Sequence, residues 1–322
     1  MDHATPPYAF VENVPHPEDL VRLEGTAWIV VSSMPSPRGG GGRLSVVDTE
    51  HPDRPPFALF PSADMLTGAP VAGTFSPHGI NTRATGPGAF ELYVVDHGAG
   101  EAVDIFDLAV TPSGPRGRAV RRVAMPPGTW GNGIAPTPEG GFVVTSMFDP
   151  DDPDFLAKFE AGTPTGGVWH WSPEGGWASI APRPLSGANG IELTRDGRFV
   201  IVSEWATRRL WRFPLTGEGG ITAVDLDFLP DNLRWGSDGR LLLAGQNATP
   251  RAVFGCEAAG RPCPMAFTVV EVDPETLATR VVVRGGDSRF GGATGALGVG
   301  GEVWVASFTG QRVARYLRPG RP

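Results

Sequence analysis

The chain has 322 residues, with 45 glycines and 33 prolines but only 19% charged side chains. Glycine and proline break helices, and long solvated helices carry more charge, so this composition excludes a helical bundle and asks for many short strands joined by turns. A net charge of −8 excludes the basic face that a nucleic-acid backbone requires of its partner. No run of eighteen apolar residues offers a membrane span. The opening MDHATPPYAF has neither a basic start nor an apolar core, so the expected location is cytoplasmic, with neither membrane nor nucleic acid as partner.

In chain order one pattern recurs: a polar residue opens a short strand, a turn follows, and an apolar strand comes next. PEDLVRLEGTAWIVVSSM holds it first, opening at Glu18, with a later strand expected at Arg43 to Asp48 and a hairpin loop at Gly39 to Gly42. PHGINTRATGPGAFELYVVDHG repeats it from His78, and GNGIAPTPEGGFVVTSMF from Asn132. An insertion follows, MFDPDDPDFLAKFEAGTPTGG, in which only Asp154 to Ala161 reads as helical. Its acidic run, Asp149 to Asp154, lacks the residue order of a calcium loop and is expected to be solvated. ANGIELTRDGRFVIVSEWATRRLWRFPL opens at Asn189 and carries strands at Phe199 to Ser203 and Arg209 to Pro214. PDNLRWGSDGRLLLAGQN opens at Asp231 and leads into a second insertion, NATPRAVFGCEAAGRPCPMAF. Its Cys256 and Cys263 have no further Cys or nearby His to complete a zinc set, and two thiols are favoured over a local disulfide. The last copy, ATGALGVGGEVWVASFTGQRVARYLRP, opens at Thr294 and holds a strand at Val303 to Ser307. The nearby GGATGALG opens a strand rather than a helix, so it is no nucleotide fingerprint.

The openings are separated by 60, 54, 57, 42 and 63 residues, without a linker or a break in composition. Six antiparallel copies at this spacing predict an all-β fold, a single six-bladed propeller spanning residues 1–322. In such a fold the first strand of each blade lines the central channel. Glu18, His78, Asn132, Asn189, Asp231 and Thr294 are then aimed at one axis, and the glycine after His78, Asn132 and Asn189 allows close backbone approach. Two carboxylates, Glu18 and Asp231, call for a cation. Asn132, Asn189 and Asn232 add neutral oxygens, and an all-oxygen set suits Ca²⁺ better than Mg²⁺. His78, at the same channel-facing position, is the candidate base.

PEDL, PHGI, VVDHG, GNGI, ANGI and PDNL together carry a resemblance. From about Glu18 to about Tyr316 the chain resembles the serum paraoxonase family, within the group that includes gluconolactonases, senescence marker protein and diisopropyl-fluorophosphatase. The resemblance implies a propeller with a catalytic calcium in its channel, held by Glu18, Asn132, Asn189, Asp231 and Asn232. It implies a histidine dyad, His78 with His97, in which His97 orients His78 or relays its proton. It also implies a second, structural calcium on Asp19, the backbone of Ile80 and an aspartate at the place of Gly133. That carboxylate is missing, so one ion is expected rather than two. The family's end-joining disulfide and membrane-attachment helix have no counterpart.

The expected activity is calcium-dependent hydrolysis of a small lactone or ester, with His78 as base and Asp231 as a ligand able to attack or deprotonate water. The alternatives are a sugar lactonase or phosphotriesterase on the same metal, or a binding propeller or non-hydrolytic biosynthetic enzyme that retains it. The two insertions are expected to cover the channel, Phe148, Phe155 and Phe159 giving the first an apolar underside.

Overall fold

Along Phe199–Glu204 successive side chains serve two different cores. Val200 and Val202 pack with Ala135, Val143 and Val168 on one side, while Ile201 packs with Leu233, Leu241 and Leu243 on the other. A strand that alternates between two apolar environments belongs to a sheet buried on both faces. The computed structural model, which describes residues 4–35, 41–61, 74–217, 219–258 and 263–320, shows this arrangement repeated around a ring.

Six four-stranded antiparallel sheets form the ring. Their inner strands are Pro17–Arg22, Pro77–Gly86, Gly131–Pro136, Ala188–Leu193, Leu229–Trp235 and Ala293–Val299. We number the blades 1 to 6 in that order. Each inner strand packs against the inner strands of both neighbouring blades, and blade 6 meets blade 1. Six apolar clusters fill the spaces between successive blades. Expected strands at Arg43–Asp48 and Arg209–Pro214 are observed with those bounds, and the others begin or end within a residue of expectation.

Three features differ from expectation or add to it. Blade 6 takes its outer strand from the other end of the chain, Ala9–Glu12 pairing antiparallel with Arg312–Leu317. Val11 faces Val313 there, and both are fully buried between blades 6 and 1. The second insertion forms a helix, Pro250–Ala258 (α2), beside the expected one at Phe155–Glu160 (α1). Cys256 and Cys263 are joined in a disulfide rather than left as thiols. The end of α2 and the returning segment bring their Cα atoms to 6.0 Å, within the ordinary span of such a bond. Gly39 and Gly40 of the expected Gly39–Gly42 loop lie outside the described residues, and no described helix is long and apolar enough to cross a membrane.

Candidate metal centre and histidine relay

Strand pairing explains why the opening residues behave as a set. In every blade the register between the first and second strands shifts at the opening residue. Asn189 and Gly190, for example, are passed over between the pairs Ala188↔Glu204 and Ile191↔Val202. A bulge frees a residue from the ladder and re-aims its side chain, here into the channel. Glycine follows because the next blade is so close. A side chain at Gly79 would be driven into the carbonyl of Asn132, and one at Gly190 into that of Asp231. At Gly133 a Cβ would lie 2.8 Å from the carbonyl oxygen of Asn189. Hydroxyls on the second strands brace the bulges: Thr145 Oγ1 donates to the Asn189 carbonyl, and Ser203 Oγ to that of Asp231 (2.8 Å).

Glu18, His78, Asn132, Asn189, Asp231 and Thr294 all line one cavity of about 150 Å³ at the channel mouth. Asn232 is fully buried beside it. Each acid or amide spends part of its capacity on a neighbour and keeps one oxygen back. Asn232 Nδ2 donates to Glu18 Oε1 (2.8 Å), and Gln246 Nε2 donates to Asp231 Oδ2 (2.7 Å). Glu18 Oε2, Asn132 Oδ1, Asn189 Oδ1, Asp231 Oδ1 and Asn232 Oδ1 accept nothing. Among the described residues these are the only buried carboxylate or amide oxygens without a partner. Buried oxygens are rarely left so, because each forfeits its hydration without return.

The electrostatics agree. Burial, then the nearby Asp19 and Asp231, pushes the Glu18 carboxyl well above the usual range. Burial likewise pushes Asp231 up to about 7, against the hydrogen bond from Gln246. The site is built for a positive charge. Among the described residues no group of three His, Cys, Asp or Glu side chains is placed to hold a metal, because amides supply most of these oxygens. Donors that are all oxygen, two of them carboxylate, fit Ca²⁺ in both number and hardness.

A chain of ring nitrogens leads away from this set. His78 Nδ1 lies 2.9 Å from His97 Nε2, and His97 Nδ1 lies 2.9 and 3.0 Å from the two Glu101 oxygens. The carboxylate only accepts, so His97 carries its proton on Nδ1 and accepts at Nε2. His78 must then be protonated at Nδ1. Its Nε2 lone pair is left facing the channel, 3.2 Å from the Asn132 amide nitrogen and 3.5 Å from Glu18 Oε1. Trp130 stacks on His97 with ring centroids 4.1 Å apart, holding the relay in plane. Burial, with His97 adding to it, holds His78 well below the ordinary histidine value, lower than its residue type alone suggested.

Asp231 is less free than expected. Gln246, itself fixed by Trp205 Nε1 (2.8 Å), occupies one oxygen and leaves the other with the orphan set. That favours a ligand over a nucleophile. Glu101 and Gln246 went unread in the sequence, although the spacing of Glu101, four residues beyond His97, was there to see.

The cavity walls are apolar. Trp130, Phe148, Trp205, Val253 and Phe254 stand over the oxygen floor. Phe148, Phe155 and Phe159 form an aromatic cluster with Trp205 and Phe254, so the first insertion does carry the expected apolar underside and α2 shares it. Arg251 and Glu160 tie the two helices together (2.7 Å).

The groups expected to hold a second ion are otherwise engaged. The Asp19 carboxylate and the Ile80 carbonyl both accept from the guanidinium of Arg234. An ion there would have to displace a buried cation already bound. The second site therefore does not fit a metal.

Comparisons with known proteins agree on the architecture. A family profile, Strictosidine synthase, matches residues 144–218, less than a quarter of the chain. No curated protein matches the sequence significantly. Among solved structures, a luciferin-regenerating enzyme is similar with a TM-score of 0.60 at 12% identity, covering 96% of this chain and 94% of its own. A gluconolactonase from Xanthomonas campestris gives 0.57 at 14% identity, with 96% and 88% covered. Regucalcin from Agrobacterium tumefaciens, a calcium-binding protein, gives 0.56 at 12% identity, with 99% of both chains covered. Likeness at this identity shows the fold alone, and the chain is a six-bladed propeller similar in fold to that gluconolactonase and regucalcin.

Proposed function

We propose that the protein is a calcium-dependent hydrolase of small lactones or esters. The carrying observation is the set of five buried, partnerless oxygens on Glu18, Asn132, Asn189, Asp231 and Asn232. Those five residues would hold the ion. A bound Ca²⁺ supplies Lewis acidity to a carbonyl oxygen and offsets its developing charge.

The remaining work falls to the chain's own residues. His78 Nε2, with its lone pair toward the cavity, accepts a proton from water. The proton charge is then shared along His97 toward Glu101, whose carboxylate fixes both tautomers and offsets the positive charge. Asn132 Nδ2, donating to His78 Nε2, holds the His78 ring in register with the oxygen set. The aromatic wall suits an apolar acyl or aryl group, and it excludes bulk water from the polar floor. The calcium bound by regucalcin and the lactonase named among the similar structures support the reading.

Metal analysis of the purified protein, with a lactone and aryl-ester panel run with and without chelator, tests it. Stoichiometric calcium with chelator-sensitive turnover is the expected result. A metal-free protein, or turnover indifferent to chelation, overturns it. The strictosidine synthase match over the Asn189 blade favours a second reading, a synthase on the same scaffold. Absence of hydrolysis from a calcium-loaded protein would favour that one.

A further inference from the structure

Just below the orphan oxygens, away from the mouth, lies a second polar layer with the opposite character. Arg234 sits at its centre, its side chain 3% exposed. A guanidinium has five N–H donors in a fixed fork, and here each meets an acceptor. Nε donates to the Leu20 carbonyl (3.1 Å). Nη1 donates to the Leu233 carbonyl (2.5 Å) and to Glu192 Oε1 (3.4 Å). Nη2 donates to Asp19 Oδ2 and to the Ile80 carbonyl.

These acceptors come from blades 1, 2, 4 and 5, so one side chain ties four blades across the axis. Asp19 is otherwise satisfied by the backbone N–H groups of Leu20 (2.8 Å) and Ile80 (3.0 Å). Nothing on Asp19, Glu192 or Arg234 is among the buried side-chain atoms left without a partner.

The guanidinium occupies the Asp19 carboxylate and the Ile80 carbonyl that an ion would need, while a separate cavity of about 320 Å³ is lined in part by Asn81, Glu192 and Arg234. The one further carboxylate an ion would need cannot be added at 133, where a Cβ would lie 2.8 Å from one backbone carbonyl oxygen and 2.9 Å from a backbone nitrogen. We propose that the Arg234 guanidinium is the resident cation of the lower layer, doing with five hydrogen bonds what a second metal ion would do by coordination. The chain thus carries one exchangeable cation site above and one covalently attached cation beneath. The proposal depends on the calcium reading only for the count of ions.

The experiment uses the full chain and calcium alone as probe. Equilibrium dialysis of the wild type is expected to show one ion per chain, bound about tenfold more weakly in Asn189→Ala. Arg234→Met leaves Asp19 buried without its counter-charge. Its thermal midpoint should fall by on the order of 10 °C in metal-free buffer. Arg234→Lys keeps the charge but has three donors for five acceptors, so its midpoint should fall between wild type and Arg234→Met. Should the methionine variant not fold, the lysine variant and the wild-type stoichiometry carry the test.

Two tight ions in the wild type, one surviving Asn189→Ala, would overturn the proposal. So would a midpoint for either Arg234 variant equal to wild type. A wild type that binds no calcium refutes the proposed function instead. The melting of the Arg234 variants then judges the lower layer by itself.

Discussion

Glu18 and Asp19 are neighbours in sequence, both buried carboxylates on the first inner strand, yet they meet different partners. Glu18 faces upward into a ring where four other side-chain oxygens also lack partners. Asp19 faces downward onto a guanidinium and two backbone N–H groups. Two residues apart, Asn232 and Arg234 also divide between the two levels, as do the His78 side chain and the Ile80 carbonyl. Adjacent residues at a bulge diverge to two levels of the channel, so one level can be completed from within while its neighbour is left open. The difference teaches where exchange belongs. A cation fixed by the chain gives permanence, and a cation drawn from solution gives an open coordination position for substrate.

Several substitutions and conditions can break this contrast. The largest effect is expected from chelation, which should empty the upper layer and leave the lower intact. Turnover of an aryl ester should fall by about 10³-fold or more, with recovery on adding calcium. If the unfolding transition vanished with the metal, the two layers would not be independent. Next comes His78→Gln, expected to lower kcat on the order of 10²-fold while calcium affinity by dialysis stays within about twofold of wild type. Near-full activity would move the base role elsewhere on the floor.

Asn189→Ala removes a neutral oxygen without altering the charge of the upper layer. Calcium affinity should weaken by roughly tenfold, with activity restored by raised calcium, because one of five donors is lost. Unchanged affinity would take Asn189 out of the ligand set.

Smaller effects probe the relay. Glu101→Gln and His97→Gln should each cost about tenfold in kcat, since both act only through His78. The pH profile separates this role from simple loss of structure. Activity needs neutral His78, and burial already disfavours its charged form, so the acid limb should lie below the ordinary histidine value of 6.5. Removing the Glu101 carboxylate removes a group that favours positive charge on the ring pair. The limb in Glu101→Gln should therefore shift further toward acid. A shift toward neutral pH would show that Glu101 does not couple to His78.

Much of the architecture was legible because it repeats. Six polar openings, each followed by a turn and an apolar strand, identify blades by local chemistry, and the residues they aim inward follow from equivalence. The five oxygen-bearing residues of the upper layer are legible for the same reason, although three of them would each pass alone for an ordinary turn asparagine. What repetition could not carry were the pieces that occur once. Ala9–Glu12 is too short to be recognised as the strand closing blade 6, because its partner lies at the far end of the chain. The disulfide depends on a fold-back within one insertion, which the spacing of Cys256 and Cys263 leaves open.

Arg234 is the plainest case. Three residues after Asp231 on a short strand, it carries no sequence signal that marks it as buried. Its role exists only because bulges on four blades bring five acceptors to one point. Local propensity and repetition determined the strands, the ring and the residues offered to the axis. Only the tertiary structure decided which oxygens stay without a partner and which are met by the chain's own cation, because satisfaction of a buried polar group depends on distances across blades that no stretch of sequence contains.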